Sequence, residues 1–256
     1  MLTINPITHL STDLVKLVPL TQAHTEAFYQ AGKDPSLWRW VAPNHCHDLS
    51  CAESWVTQSL NQVAVGEHIV FVIIDKTSGE LVGTTRYCSI DHQNDGIEIG
   101  FTFIAPEFQR SHINTHAKFL MLRHAFEQFL AIRVQFKTHQ NNQKSRNAIA
   151  RLGANFEGII RHQRILPSGE RRNTAQFSIV DDDWQSVKQR LQTKMSGGHQ
   201  YILPTISLSE LGQQTIANAP LAQLSIACSD NQLAQTVYLP LWFNVERNVL
   251  MGHLSI

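Results

Sequence analysis

The segment "GIEIGFTFIAPEFQRSHINTHAKFLMLRHAFEQF" (residues 96–129) constrains the fold more than any other part of the chain. An apolar run of strand character is stopped by Pro106, which cannot donate to a sheet ladder. A short polar loop follows. The spacing then predicts a helix over roughly 113–129, with Ile113, Ala117, Leu120, Met121, His124 and Ala125 along one face. A strand end, a polar loop and a helix start together present several unpaired backbone N–H groups at one point, and the helix dipole adds positive potential there. Such a point suits an anion, and a diphosphate in particular. Glycine usually lets the backbone approach phosphate closely. This loop contains none, and it carries His112.

The flanking patterns fill in the fold. "LVKLVPL" (14–20) reads as a strand, and two short helices follow, one opened by Thr21 and ending near Gly32, the other carrying Ala52, Trp55, Val56, Ser59, Leu60 and Val63 at helical spacing. "HIVFVIID" and "LVGTTRYCSI" form a hairpin around "KTSGE". After the segment above come a strand "IRVQFKT", a helix "NQKSRNAIARLG" closed by Gly153 as a left-handed C-cap, a hairpin around "PSGE", and an acid-started helix "DDDWQSVKQRL". The order β-α-α-β-β-β-α-β-α-β-β predicts a mixed α/β sheet, not a doubly wound one. "MSGGHQ" reads as a linker, so the expected division is a domain over 1–194 and a linker with a β-rich extension over 195–256.

Lys+Arg equals Asp+Glu, at 21 each in 256 residues, and the pI is about 7.2. That balance argues against a nucleic-acid surface, because counterion release needs a basic excess. It leaves room for a local basic patch at Arg161, Arg164, Arg171 and Arg172. The first residues lack a basic start followed by an apolar run, and no stretch has the length of a membrane span. Cys46, Cys51, Cys88 and Cys228 are too few for a disulfide framework, so reduced thiols in a cytoplasm are expected.

From "EIGFTFIAPEFQRSHINTHAKFLMLRHAFE" through "IRVQFKTHQNNQKSRNAIARLGANFEG" to "RILPSGERRNTAQFSI", the chain resembles the GNAT superfamily, and within it the RimJ/RimL-type N-acetyltransferases. The resemblance covers about residues 10–192. It implies the GNAT fold, acetyl-CoA as donor, and as acceptor an amine on a small molecule or a protein N-terminus. Gln109 and Arg110 match the opening of the family's diphosphate loop, and Ser111, Ile113, Asn114 and Thr115 match residues that relatives often carry there. His112 departs from the family's glycine. Its side chain either points away, covers the diphosphate or narrows the loop, and the expectation is that acetyl-CoA still binds, more weakly than with glycine. Phe103 and Ile104, at the end of the strand, complete the implied cofactor set. Asn142 and Ser145 match the residues near the pantetheine arm and its sulfur.

Glu98 matches an acidic position of close relatives and is the candidate general base, acting through a water, since alkylammonium groups are mostly charged at neutral pH. The alternative is a structural carboxylate held by Arg86 or by backbone. Helix 143–153 lacks the tyrosine that many relatives use as general acid, which leaves Ser145 or water. A backbone N–H exposed where strands 97–104 and 132–138 splay apart would stabilise the oxyanion; the resemblance implies that splay. Trp38, Trp40, Arg86 and Tyr87 are candidate acceptor-pocket residues, with a structural role as the alternative for each.

"HCHDLSC" invites a metal reading through His45, Cys46, His47 and Cys51, but zinc sites draw on two separated ligand pairs and no second pair is evident. No metal is expected. The tail 219–256 alternates like strands with "NVERN" as a turn. It is similar over fewer than forty residues to the start of an FMN-binding split barrel, too short for a barrel, so no flavin is expected. An exposed edge strand seeks pairing, and self-association through this tail is the expectation.

Overall fold

The computed structural model describes residues 2, 4, 7–41, 43–166 and 168–196, together with the backbone of three strands at 221–226, 235–244 and 249–252. Residues 1–197 and 198–256 are two separate compact units. No helix among the described residues is long and apolar enough to cross a membrane.

The first unit is an eight-stranded mixed sheet with helices on both faces. Its strands are β1 (Leu10–Ser11), β2 (Val15–Pro19), β3 (Ile69–Asp75), β4 (Leu81–Asp91), β5 (Gly96–Ile104), β6 (Arg133–His139), β7 (Asn155–Ile165) and β8 (Arg171–Val180). They lie in the order β1-β2-β3-β4-β5-β6-β8-β7. The helices are α1 (Thr25–Gly32), α2 (Leu49–Ala64), α3 (Ile113–Glu127), α4 (Gln143–Leu152) and α5 (Asp181–Met195). Asp48 caps α2 by accepting from the Cys51 amide at 2.8 Å. Gly153 closes α4 at φ +103°, the left-handed conformation expected of it.

Among the pairings, β5–β6 is parallel, and it is brief. Gly96 faces Arg133, Ile97 faces Val134 and Glu98 faces Gln135, and there the ladder stops. β5 runs on to Ile104 and β6 to His139, so the two strands part and leave the β6-facing edge of β5 without a strand partner. On its other edge β5 bulges against β4 between Thr84 and Arg86, with Phe101 at φ +50°. The bulge and the splay open a V in the middle of the sheet.

The main core lies on the face covered by α3, with Phe71, Ile73, Tyr87, Ile97, Ile99, Val134 and Phe136 meeting Ile113, Leu120, Met121 and Ala125. A smaller core under α1 and α2 gathers Phe28, Ala52, Trp55, Val56, Val70 and Val72. Phe28 and Trp55 stack at 4.2 Å. α3 is buried on nearly every side and not along one stripe, with His116, Lys118, Phe119 and Leu122 inside as well. His116 is covered by Thr12 and Lys118 by Thr85 and Thr102 of the sheet, while α5 covers much of the remaining face. Trp184 stacks on Phe126 at 5.2 Å, its Nε1 donates to Glu127 at 3.0 Å, and Lys188 pairs with the same carboxylate at 2.8 Å.

In the second unit β9 (Leu221–Ile226), β10 (Gln235–Asn244) and β11 (Val249–Gly252) form an antiparallel sheet in the order β11-β10-β9. Asn244 pairs with Val249, the residue that follows the "NVERN" stretch. Residues 245–248, the linker beyond Ser196, Cys228 and the side chains on which self-association would depend lie outside the described residues.

Candidate functional site

The loop after β5 is shaped by its own polar side chains. Ala105 and Pro106 open a single 3-10 turn, and Ser111 Oγ donates to the Phe108 carbonyl at 2.6 Å while accepting from the Ile113 amide at 3.3 Å. Gln109 Nε2 donates to the Ile104 carbonyl at 2.7 Å, and Lys144 of α4 donates to Gln109 Oε1. The loop is thereby tied to α4 across the mouth of the splay. The amides of Asn114 and Thr115 stand in the first turn of α3, before any helical carbonyl partner, and His112 supplies no side-chain cap.

Residue 112 has φ −66° and ψ −23°, so a β-carbon there is unstrained and glycine is not required by the backbone. The left-handed residue of this loop is Arg110, at φ +61°. The imidazole of His112 sits with Nε2 3.2 Å from Asp75 Oδ1 and edge-on to His116 at 5.6 Å. Asp75 ends β3, which lies on the opposite side of β5 from β6. Of the two orientations open to it, His112 therefore takes the one away from the cleft.

On the other side of the mouth Asn142 caps α4, its Oδ1 accepting from the Ser145 amide at 3.1 Å. The cap holds Asn142 and Ser145 within one turn. The Ser145 hydroxyl makes no hydrogen bond among the described residues. Ile104 is buried in the main core, and the Phe103 ring packs between Phe28 at 5.7 Å and Trp38 at 5.5 Å. These two residues can offer a cofactor only their backbone or a flank.

The register assembles a polar face on the side of the sheet opposite α3. Directly paired residues share a face. The pairs Arg86–Gly100, Cys88–Glu98, Glu98–Gln135, Gln135–Ser178, Lys137–Gln176 and His139–Thr174 thus line one surface across β4, β5, β6 and β8. Glu98 is 8% exposed, and its Oε2 receives Lys137 Nζ at 2.7 Å and Ser89 Oγ at 3.3 Å. The expected structural partner of Glu98 was Arg86 or backbone; the partner found is Lys137. Gln176 Nε2 donates to Gln135 Oε1 at 2.9 Å. Trp40 brings its ring to 4.6 Å from His139 at the end of β6.

Arg86 is on this face, beneath α2. Its guanidinium contacts His68 Nδ1 at 3.0 Å and Ser59 Oγ at 2.9 Å, between the rings of Trp55 (4.8 Å) and Phe101 (4.4 Å). Burial pulls its pKa down to about 10, which leaves it cationic at neutral pH. Trp38 is an anchor: Nε1 donates to the Gly32 carbonyl at 2.7 Å and pins the 35–38 turn to α1.

Tyr87 is not brought to this site, which corrects its assignment to the acceptor pocket. Neighbouring residues on a strand point to opposite faces, so Arg86 and Tyr87 cannot both line one pocket. The Tyr87 ring is fully buried against Phe71 and Phe129, and its hydroxyl donates to the Met121 carbonyl at 2.6 Å. The "HCHDLSC" side chains are dispersed. Cys46 turns inward towards the Phe28 carbonyl, His45 packs against Trp38 and Trp55, and His47 is exposed. Among the described residues no three His, Cys, Asp or Glu side chains converge as a cation site.

Lys137, His139 and Gln176 were not anticipated. The signal was present in "RVQFKTH", where apolar Val134 and Phe136 alternate with Gln135, Lys137 and His139. A strand in the middle of a sheet covered on both sides would be apolar on both faces. Alternation there marks a face that is not filled by a helix.

Comparison with known proteins agrees with this fold. The sequence profile described as "Acetyltransferase (GNAT) domain" matches residues 15–155, more than half of the chain. A Bacillus subtilis (strain 168) protein provisionally named ribosomal N-acetyltransferase YdaF is 30% identical over 110 residues, 43% of this chain and 59% of the relative. The chain thus matches somewhat under two thirds of that relative's length. The crystal structure of a GCN5-related N-acetyltransferase from Brucella melitensis superposes with a TM-score of 0.70 at 28% identity, covering 76% of this chain and 91% of the other. Mycobacterium smegmatis RimJ, solved with CoA-disulfide, shares the fold at a TM-score of 0.61 and 22% identity, over 70% and 88% of the two chains. The chain belongs to the GNAT acetyltransferase family.

Proposed function

We propose that this chain moves the acetyl group of acetyl-CoA to a primary amine by direct attack, and that the amine is a peptide or protein N-terminus. The observation that carries the reading is the V between β5 and β6, headed by an amide-rich turn and floored by a polar face. In this reading the turn over Gln109–Thr115 and the start of α4 at Asn142–Ser145 hold the diphosphate and the arm of the carrier. The unpaired edge of β5 offers backbone donors to the carbonyl oxygen as charge develops on it.

The amine nitrogen forms a bond to the thioester carbon, and the C–S bond then breaks. Glu98 receives the proton of the amine through a water, oriented by Lys137. The leaving thiolate takes a proton from the Ser145 hydroxyl or from water. Trp40 and Arg86 border the acceptor. Similarity to a protein provisionally named for ribosomal acetylation supports a protein N-terminus over a small amine.

The test is thiol release by the full chain with acetyl-CoA and a panel of peptides and small amines, with mass spectrometry of the products. Absence of turnover on every acceptor, with acetyl-CoA still bound, would replace this reading by a second one: a GNAT-fold binding module. The feature favouring that second reading is the engagement of Glu98 by Lys137 and Ser89. Self-association through β9–β11 belongs to the proposal as well, and light scattering on a version ending at Met195 checks it by a fall to the monomer mass.

A further inference from the structure

We infer that the far end of the polar face, centred on Arg172, is a subsite for an acidic side chain of a peptide acceptor. The inference rests on the acetyl-transfer reading and names its substrate class.

The sequence places Arg161, Arg164, Arg171 and Arg172 together, and the strands sort them. Arg171 pairs with Ile165, whereas Arg172 lies directly opposite Arg164 on the face that carries Thr174 and Gln176. Arg172 is only 9% exposed, and its Nε is buried without a hydrogen-bond partner. None of the ion pairs among the described residues includes it. The nearer carboxylates are otherwise disposed: Glu98 is engaged by Lys137, and Glu170 is exposed on the turn. Burial, with Arg164 alongside, depresses the guanidinium pKa, and the attraction of Glu98 offsets this only in part. Like charges placed opposite each other on neighbouring strands repel, and a buried charge without a partner is costly. An incoming anion would relieve both.

Two neighbours extend the argument. His139 Nδ1 accepts from the Asn141 amide at 3.1 Å, so the neutral ring carries its proton on Nε2 and offers a second donor. Gln176 Oε1 is a buried acceptor without a donor, because its amide nitrogen is the group bonded to Gln135. Gln176 faces Lys137, which holds Glu98. The face therefore lacks a donor at Gln176 and an ion-pair partner at Arg172. Arg172 and Gln176 are four positions apart on β8, about 14 Å at the rise of an antiparallel strand. An extended peptide advances about 3.3 Å per residue. With its α-amine at the Gln176 end of the face, it would bring a side chain from its second to fourth residue to Arg172.

The experiment gives the full chain acetyl-CoA and two peptides that differ only in glutamate or glutamine at the third residue. A charge-assisted bond predicts kcat/KM about ten- to a hundredfold higher for the glutamate peptide, carried mainly by KM. R172M should bring the ratio to within about threefold. Equal kcat/KM for the two peptides with the unaltered chain would overturn the inference, and that comparison needs no variant to fold. Free glutamate acetylated with the same preference over free glutamine would overturn the peptide assignment. If no peptide is acetylated, the acetyl-transfer reading fails by itself. Fluorescence anisotropy with CoA present then decides the subsite: tighter binding of the acidic peptide supports it, and equal binding overturns it.

Discussion

Lys118 gives the most quantitative check on this structure. It projects from α3 into the space between helix and sheet, is 5% exposed, and donates to Thr85 Oγ1 at 3.1 Å and Thr102 Oγ1 at 2.6 Å. None of the ion pairs among the described residues includes it. Burial lowers its pKa from 10.5 to about 7. Between those values the unfolded chain binds a proton that the native chain does not, so stability rises with pH across that window and levels off below about pH 7. At 1.36 kcal/mol per pKa unit, the lysine costs about 4 kcal/mol at pH 7 and about 2 kcal/mol at pH 9. K118M keeps an unbranched stem and removes the charge. Thr85 and Thr102 stay satisfied because their hydroxyls already lie 2.9 Å apart. In urea titrations K118M should be the more stable protein at pH 7, by a few kcal/mol, with the advantage shrinking by about 2 kcal/mol at pH 9. Other titrating groups are common to both proteins and cancel in the difference. An advantage independent of pH would refute the argument, since it would mean that Lys118 keeps its proton on folding.

H112G should change acetyl-CoA affinity by less than about threefold in calorimetry, because the imidazole is turned to Asp75, and should cost about 1 kcal/mol in stability for the lost contact. Tightening beyond tenfold would show that the ring obstructs the diphosphate. E98Q should lower turnover about a hundredfold while leaving the calorimetric affinity for acetyl-CoA within a factor of two; unchanged turnover would remove Glu98 from the chemistry. G153A should lose about 1–2 kcal/mol from the left-handed backbone alone. It should lose more because the new methyl meets Val187 and the Arg190 guanidinium that donates to the Leu152 carbonyl at 3.0 Å. A urea midpoint equal to that of the parent would refute it.

Local chemistry made much of the fold legible. Pro106 ends β5 because it lacks an N–H, Gly153 ends α4 because it alone accepts φ +103° cheaply, and the two hairpins follow from their turns. The amide-rich loop was legible for the same reason, since a helix start exposes its donors wherever it stands. Tyr87 was misassigned through neglect of a rule that is itself local, the alternation of faces along a strand. Lys118 was a different matter. A lysine on an amphipathic helix reads as solvated, and it is the packing of α3 on Thr85 of β4 and Thr102 of β5, distant in the chain, that buries this one.

The sequence by itself determined which segments are the longer strands and helices, where they stop, and where a helix start leaves amide donors without partners. Those properties depend on dihedral preference, hydrophobic period and missing donors within a few residues. Only the tertiary structure decided that β5 and β6 part after three pairs, that Lys137 meets Glu98, and that Arg172 is buried opposite Arg164 with its Nε unbonded. Register and splay are set by contacts between distant segments, and no periodicity within one segment encodes which residue of another will face it.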